Sequence, residues 1–586
     1  MPVVPTDLLQ NGLQTHGVVT LTVLVDGEAI PSTVQVYSVD IWHELNRISR
    51  AKLAILDGNA SEETFSISED EWFVPGNKIE VQIGYQANED TVFKGIVTGQ
   101  SIKVRSNGNS LLMVDCADPA VKLTTVPKSR YFYDVAESDV FETIISQYSG
   151  LTPDIEPTSY TYKELLQFQS TDWDFILTRA DVNGMFCTSE GGTVAIKSPD
   201  FGQASVAIVK YGNNLLEIDA EIDGTCQFAG VRGISWDYSK TELSEVDAAS
   251  VSPISPGNFT SGDLSGSFEN NEWALRAGTK ITSEVLQKWA DSKLMKHELA
   301  KVRGRAKIRG INGIKPGTVI TLDGVGDRFN GNAFVSGVKH QFYKGEWLMD
   351  VQFGLSPKWF SEEYKISETP AAGMLPSVSG LQIGLVTQIE GDPDGDERIL
   401  VRLPMIDTEE QGVWARMATF GAGDNRGFIF RPEIEDEVVV GFIHGDPNQP
   451  IILGSLHSSA NPAPITASDD NHEKGLVCRS EIKIYINDDD PSVLLEMPSG
   501  KKISVNDAED EILLEDDHGN KVLMDSDGIT LDSPSDVSIK ATGDLNIEAT
   551  NLNLKANAGF KAEGSASAEI SSSGSTTVKG SIVQIN

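Results

Sequence analysis

His297-Glu-Leu-Ala-Lys301 opens like the helix of a zinc protease. That chemistry needs a second imidazole four residues on, so that both rings reach the ion from one helix face. Lys301 stands there instead, and the stretch is expected to be a solvated helix face. Gly324-Val-Gly326 and Gly421-Ala-Gly423 lack the full spacing of a phosphate-cradling loop and sit among β-rich segments, where glycine serves tight turns. No Gly-x-Ser-x-Gly elbow occurs, and the 8 histidines join no Ser or Cys in a recognised motif, so nucleophilic catalysis has little support. Paired carboxylates for glycoside cleavage stay open, because acids are everywhere and the cleft they need is not readable. Cys116, Cys187, Cys226 and Cys478 stand far apart, which argues against a zinc site or disulfide frame and suits a reducing cytoplasm. No catalytic, cofactor-binding or metal residue is assigned.

The 586 residues suffice for about three to five domains, and 39% hydrophobic content supports real cores. A net charge of −39 repels nucleic-acid phosphates and anionic headgroups, so no nucleic-acid partner is expected. Asp488-Asp489-Asp490 and the run from Asp507 to Asp517 lack EF-hand spacing and are expected to be solvated turns and strand faces. Met-Pro-Val-Val-Pro-Thr-Asp has no basic region leading into an apolar run, and no apolar stretch of eighteen residues follows. Neither export nor a membrane span is expected.

Behind these residues the chain reads as mainly β. From Gly17 to Ala120, alternating strands (18–25, 33–39, 52–56, 78–85, 91–98 and 111–115) are separated by turns at Asp26-Gly27, Asp57-Gly58 and Asn107-Gly108, the pattern of a barrel or sandwich. Ser138 is placed to cap a helix carrying Val140, Phe141, Ile144 and Ile145, ended by Gly150. Thr171-Asp-Trp-Asp174 opens a second helix that stops at Asn183-Gly184. Strands return over 191–236, 244–272 reads as a polar loop, and a helix from Thr282 or Ser283 to about Leu299 carries an apolar stripe of Val285, Leu286, Trp289, Ala290 and Leu294. More strands lead to Gly354, and a Pro/Ala/Gly/Ser stretch over 370–378 reads as a linker. Gly380–Leu456 packs five or six short strands into a small Greek-key barrel of OB type.

The last hundred residues lose nearly all aromatic character. Apolar side chains stand two apart in Val537/Ile539, Leu545/Ile547 and Leu552/Leu554, with Phe560 beyond, and the motif returns every seven or eight residues. Period two buries one face of a strand. One copy has too little apolar area to offset the entropy of ordering it, so these strands require stacked repeats or other chains. A disordered Ser/Gly-rich tail is the competing reading, and it gives no reason for the alternation.

Gly380-Leu-Gln-Ile-Gly-Leu-Val-Thr-Gln-Ile-Glu390, Arg398-Ile-Leu-Val-Arg-Leu-Pro404, Gly412-Val-Trp-Ala-Arg416, Phe430-Arg-Pro-Glu433 and Gly445-Asp-Pro-Asn-Gln-Pro-Ile-Ile-Leu-Gly454, in that order, closely resemble the OB barrel of VgrG-type spike proteins. Leu166–Ile176, Arg179–Met185 and Gly317–Gly337 resemble the hub of the same family, shared with late-control proteins of contractile phages. One departure is Glu435-Asp436-Glu437, where the family often has Gly-Asp-Glu. The Arg179–Met185 and Asp392–Asp396 variants resemble phage-tail-like extracellular systems more than type VI secretion.

The resemblance implies a hub over 1–370 (a first barrel at about 17–120, mixed α/β at about 121–200, a second barrel and helix at about 201–370), a linker at 371–379, an OB collar at 380–456, a linker at 457–480 and a needle at 481–586. The needle would be an intertwined trimeric β-helix with Val537, Ile539, Leu545, Ile547, Leu552 and Leu554 in its core. Ile582, Val583, Gln584, Ile585 and Asn586 would contact a PAAR-type tip protein. The implied partners are two further copies, an inner tube protein, baseplate proteins and a membrane pierced mechanically. The implied route is assembly in a bacterial cytoplasm and release in an extracellular particle, without catalysis or cofactor. A β-solenoid tailspike enzyme degrading surface polysaccharide or peptidoglycan is the alternative. The scarcity of aromatic rings in the tail counts against it, as cytoplasmic synthesis counts against an exported adhesin.

Overall fold

The computed structural model describes residues 17–106, 110–249, 254–269 and 272–585. The Asn107-Gly108 turn and Asn586 of the tip segment lie outside the described residues. The chain divides into two compact units between Ser377 and Val378, within the stretch read as a linker.

In the first unit, Val19–Val25, Val36–Glu44, Arg50–Leu56, Lys78–Tyr85, Asn88–Val104 and Ser110–Ala117 alternate as the sequence pattern requires, and their inward side chains (Val39, Ile41, Leu53, Val81, Ile83, Leu112) form one core. A second core gathers Val302, Ile308, Leu322, Val335, Met349 and Val351 from later strands. The regions read as two barrels share a single thirteen-stranded sheet. They join where Val36–Glu44 runs antiparallel to Gly331–Tyr343, with Ile41 opposite His340 and His43 opposite Val338.

A third core lies under the helices Glu137–Ser146 and Asp172–Val182. The Thr171 hydroxyl caps the second of these by accepting from Asp174 N at 3.1 Å, as its spacing predicts. The expected Ser138 cap is corrected: Ser138 lies inside the first helix, and its own N–H is satisfied at 3.1 Å by the Thr158 hydroxyl, twenty residues away. Sequence neighbours cannot reveal such an acceptor. Asp172 is fully buried and ionised, accepting from Tyr148 (2.6 Å), Lys128 (2.9 Å), Gln167 (2.9 Å) and Arg130. Those bonds hold its carboxyl below the usual range although burial pushes it up. The stretch 244–272 is not all loop: Glu242–Asp247 is a strand, and Thr260 opens a helix, Ser261–Ser267, with a capping box to Asp263.

The helix Ser283–Leu299 buries Leu286, Ala290 and Leu294 against Val231 and Leu275. Its other side corrects the reading of His297–Lys301 as a solvated face, because His297 is only 3% exposed and Lys301 8%. Backbone carbonyls receive the buried amines: Lys293 donates to Pro357 O (2.9 Å), Lys296 to Lys358 O (2.8 Å) and Lys301 to Phe259 O (3.0 Å). Lys296 also pairs with Asp181 at 2.5 Å. A strongly polar sequence thus forms a largely buried helix because its buried amines have partners. No described helix is long and apolar enough to cross a membrane.

His297 sits among Phe228 and Trp273, its Nδ1 2.6 Å from Cys226 O. Burial, and then Lys293, pull its pKa down to about 4. The unfolded chain therefore takes up the proton below about pH 6.5 while the folded chain refuses it until about 4. Stability should fall by on the order of 1–3 kcal/mol as pH drops through that window. Denaturant unfolding at several pH values should show this slope and its reduction in His297→Gln.

In the second unit, Gln382–Gln388, Ile399–Arg402, Val413–Met417, Pro450–Ser455 and Glu437–Phe442 close into a five-stranded barrel around Val386, Val401, Ala415, Val438, Val440 and Ile452. Asp392 ties the first long loop, accepting from the N–H groups of Asp396 (2.8 Å) and Arg398 (3.2 Å) and from the Arg398 guanidinium (2.6 Å). Glu435, at the departure from the family's Gly-Asp-Glu, has φ +75°. The turn keeps a conformation natural to glycine, closed by Glu435 N to Val386 O at 2.8 Å, and the glutamate bears the strain. Glu435→Gly is expected to raise the unfolding free energy by about 0.5–1 kcal/mol, read from the denaturation midpoint.

Candidate assembly surface

The stretch 457–480, read as linker, is corrected in part: Glu473–Val477 is already the first strand of an antiparallel seven-stranded meander. Lys483–Asn487, Ser492–Glu496, Lys502–Asn506, Glu511–Glu515, Lys521–Asp525 and Gly528–Asp532 follow. Strict alternation along each strand gives the sheet two unlike faces.

One face carries two columns of aliphatic side chains in cross-strand register. Ile486, Val493, Val505, Ile512, Met524 and Ile529 stand opposite one another in turn, as do Ile484, Leu495, Ile503, Leu514, Val522 and Leu531. Leu495 and Val522 are half-buried and the other ten are exposed, Ile529 at 73%. The opposite face has a central line of Tyr485, Leu494, Ser504, Leu513, Leu523 and Thr530, of which Leu513 is buried. Beside it, Lys483, Glu496, Lys502, Glu515, Lys521 and Asp532 form a ladder of alternating charge, with Lys502 Nζ 3.0 Å from Glu515. The more apolar face is thus the one left open to solvent.

Residues 533–585 form no β-ladder with any described residue of the chain. Val537, Ile539, Leu545, Ile547, Leu552 and Leu554 are 57–66% exposed, and at the end Ile582 and Ile585 reach 82% and 91%, with Val583 and Gln584 exposed between them. Val537 nevertheless turns back to line an apolar groove of about 600 Å³ with Leu495, Ile503, Leu514, Val522 and Leu531. On the barrel, Phe428 lies 5.8 Å from both Phe420 and Phe430 (ring centroids) in an exposed cluster. The sequence reading overlooked this cluster, whose only signal is three rings within eleven residues.

Among the described residues no group of three His, Cys, Asp or Glu side chains is placed to hold a metal ion. All four thiols are free, and burial pushes Cys116 and Cys187 up, away from the thiolate. The arrangement offers exposed apolar surface and, beyond Asp532, backbone that makes no ladder among the described residues, which fit association with like surfaces.

The barrel coincides with a family model described as the type VI secretion system/phage-baseplate injector OB domain, matching residues 382–457. The actin cross-linking toxin VgrG1 of Vibrio cholerae is 34% identical over 113 residues, 18% of this chain and 10% of that protein. The type VI secretion system spike protein VgrG4b of Pseudomonas aeruginosa is 32% identical over 124 residues, 20% of this chain and 15% of that protein. The chain thus spans only 10–15% of the length of these curated relatives. A tail protein from Neisseria meningitidis overlaps 59% of this chain and 98% of its own at 15% identity and a TM-score of 0.44. The Francisella PdpA–VgrG complex (half-lidded) overlaps 89% and 90% at 10% identity and a TM-score of 0.38.

The second unit thus contains a barrel of the phage-baseplate injector OB kind, and its curated relatives are VgrG spike proteins. Upstream, the model described as the Alg8 N-terminal domain matches residues 15–344, more than half of the sequence, and the chain belongs to that family.

Leu514 stands mid-column between Ile503 and Val522, far from the barrel core in sequence. Leu514→Glu should abolish self-association seen by light scattering, while the barrel and first unit keep their thermal transition.

Proposed function

We propose that three copies of this chain form the central spike and baseplate hub of a contractile injection system. The carrying observation is the second unit, whose injector-type barrel leads into a sheet with an exposed aliphatic face and a tail with alternating apolar residues that forms no β-ladder among the described residues. In this reading the aliphatic columns of three meanders face one another, and the tails pair with each other beyond Asp532. Val537, Ile539, Leu545, Ile547, Leu552 and Leu554 then lie inside. A needle of this kind resists buckling because every backbone group is paired along its length.

The first unit offers its sheet to the inner tube and baseplate proteins. At the other end Ile582, Val583, Gln584, Ile585 and Asn586 meet a PAAR-type tip, and the target membrane is pierced mechanically, without catalysis. The system is of the phage-tail-like kind, assembled in the cytoplasm and released. Deleting Asp536–Asn586 should leave a trimer by light scattering, held by the barrel and meander, yet abolish injection by the particle. Unimpaired injection by the truncated protein would contradict the reading.

A further inference from the structure

The meander is written in a repeat that its fold makes visible. Lys483, Lys502 and Lys521 each begin a strand 19 residues after the last, and the same step relates Ile484, Ile503 and Val522, Ile486, Val505 and Met524, and Asn487, Asn506 and Asp525. It also relates Leu495 to Leu514, Glu496 to Glu515 and Gly500 to Gly519.

Each repeat is one hairpin whose turn is tied the same way. Asn487 Oδ1 accepts from the N–H groups of Asp489 and Asp490 (2.9 and 3.2 Å), Asn506 Oδ1 from Ala508 and Glu509 (2.9 and 3.1 Å), and Asp525 Oδ1 from Asp527 and Gly528 (2.9 and 3.2 Å). The third copy has a turn two residues shorter and ends at Asp532.

We propose that this 19-residue hairpin is an interchangeable length module, so that the number of copies sets how far the sheet extends and hence, on the spike reading, how far the needle stands from the barrel. The register explains why whole copies exchange. Removing Lys502–Asn520 brings Lys521–Asp525 against Ser492–Glu496, with Glu496 opposite Lys521, Leu495 opposite Val522 and Val493 opposite Met524. These are the pairings that Glu515, Leu514 and Ile512 now make. Both aliphatic columns and the charge ladder survive, and the chain leaves the sheet at the same edge. Half a copy cannot be removed in this way. Without Met497–Asn506, the strand Glu511–Glu515 folds back on Ser492–Glu496 through the Asp507–Asp510 turn, Glu496 faces Glu511, and the tail leaves from the other edge. Like charges directly opposite are destabilising in a sheet.

The test uses four full chains: the parent, the deletion of 502–520, a tandem duplication of 502–520, and the deletion of 497–506. Light scattering, thermal unfolding and cryo-electron microscopy of each purified protein give the readouts. The whole-copy variants should keep the parent's association state and a thermal midpoint within about 5 °C. Their sheets should be shorter and longer by two strand spacings, about 10 Å. The half-copy deletion should lose the association state or melt well below the parent. A whole-copy deletion that behaves like the half-copy deletion, or a half-copy deletion as sound as the parent, would overturn the module. None of these readouts involves injection, so a failed spike reading and a failed module give different results.

Discussion

The second unit is governed by a mismatch between its two sheet faces. A β-meander satisfies the backbone of its inner strands by itself, but it has two sides, and here ten of the twelve side chains of the aliphatic one stay exposed, with Val537 turning back over one end of it among the described residues. Covering ten half-exposed aliphatic side chains is worth on the order of 1 kcal/mol each, so roughly 10 kcal/mol per copy. Association costs about 4–15 kcal/mol in lost freedom. The columns alone therefore come close to balancing that cost, and backbone of 533–585 that makes no ladder among the described residues could add hydrogen bonds to what the barrel and meander hold.

The first unit shows the opposite design. Its described residues close five cores, and several buried charges find partners within the chain: Asp172 by four donors, Lys296 by Asp181 and a carbonyl, Lys293 by Pro357 O beneath the rings of Trp273 and Trp359. Breaking such a pair is costly because the surviving charge stays buried. One chain thus combines a unit built around several closed cores with one whose aliphatic sheet face is exposed.

What could be read from sequence follows the range of the interactions involved. Strands with clean alternation, such as Lys78–Tyr85, and locally capped helices, such as that after Thr171, were legible because their determinants lie within a few residues. The barrel was legible through its ordered motifs. The join between Val36–Glu44 and Gly331–Tyr343 was not, since pairing partners about 300 residues apart leave no local trace. The buried basic face of Ser283–Leu299 was missed for a related reason: Lys and His read as solvent-facing until the carbonyls of Pro357, Lys358 and Phe259 are seen. Of the assembly surface, the tail's period of seven or eight was visible. The 19-residue step upstream was hidden because Asp- and Glu-rich turns drew attention to charge rather than to the spacing of Lys483, Lys502 and Lys521.

That charge also bears on which faces of two copies could meet. None of the twelve column positions carries an ionisable side chain, whereas Asp488, Asp489, Asp490, Asp507, Glu509, Asp510, Asp525 and Asp527 lie in the three turns along one edge of the sheet. The other face bears the Lys/Glu ladder. Over a screening length of about 8 Å, two copies approaching turn to turn meet like charge, and two approaching ladder to ladder must desolvate ions. Only the aliphatic faces can meet without either cost. In a chain with a net charge of −39, keeping the twelve column positions free of charge while acid lines the turns means that contact between two copies would be least opposed at the aliphatic faces.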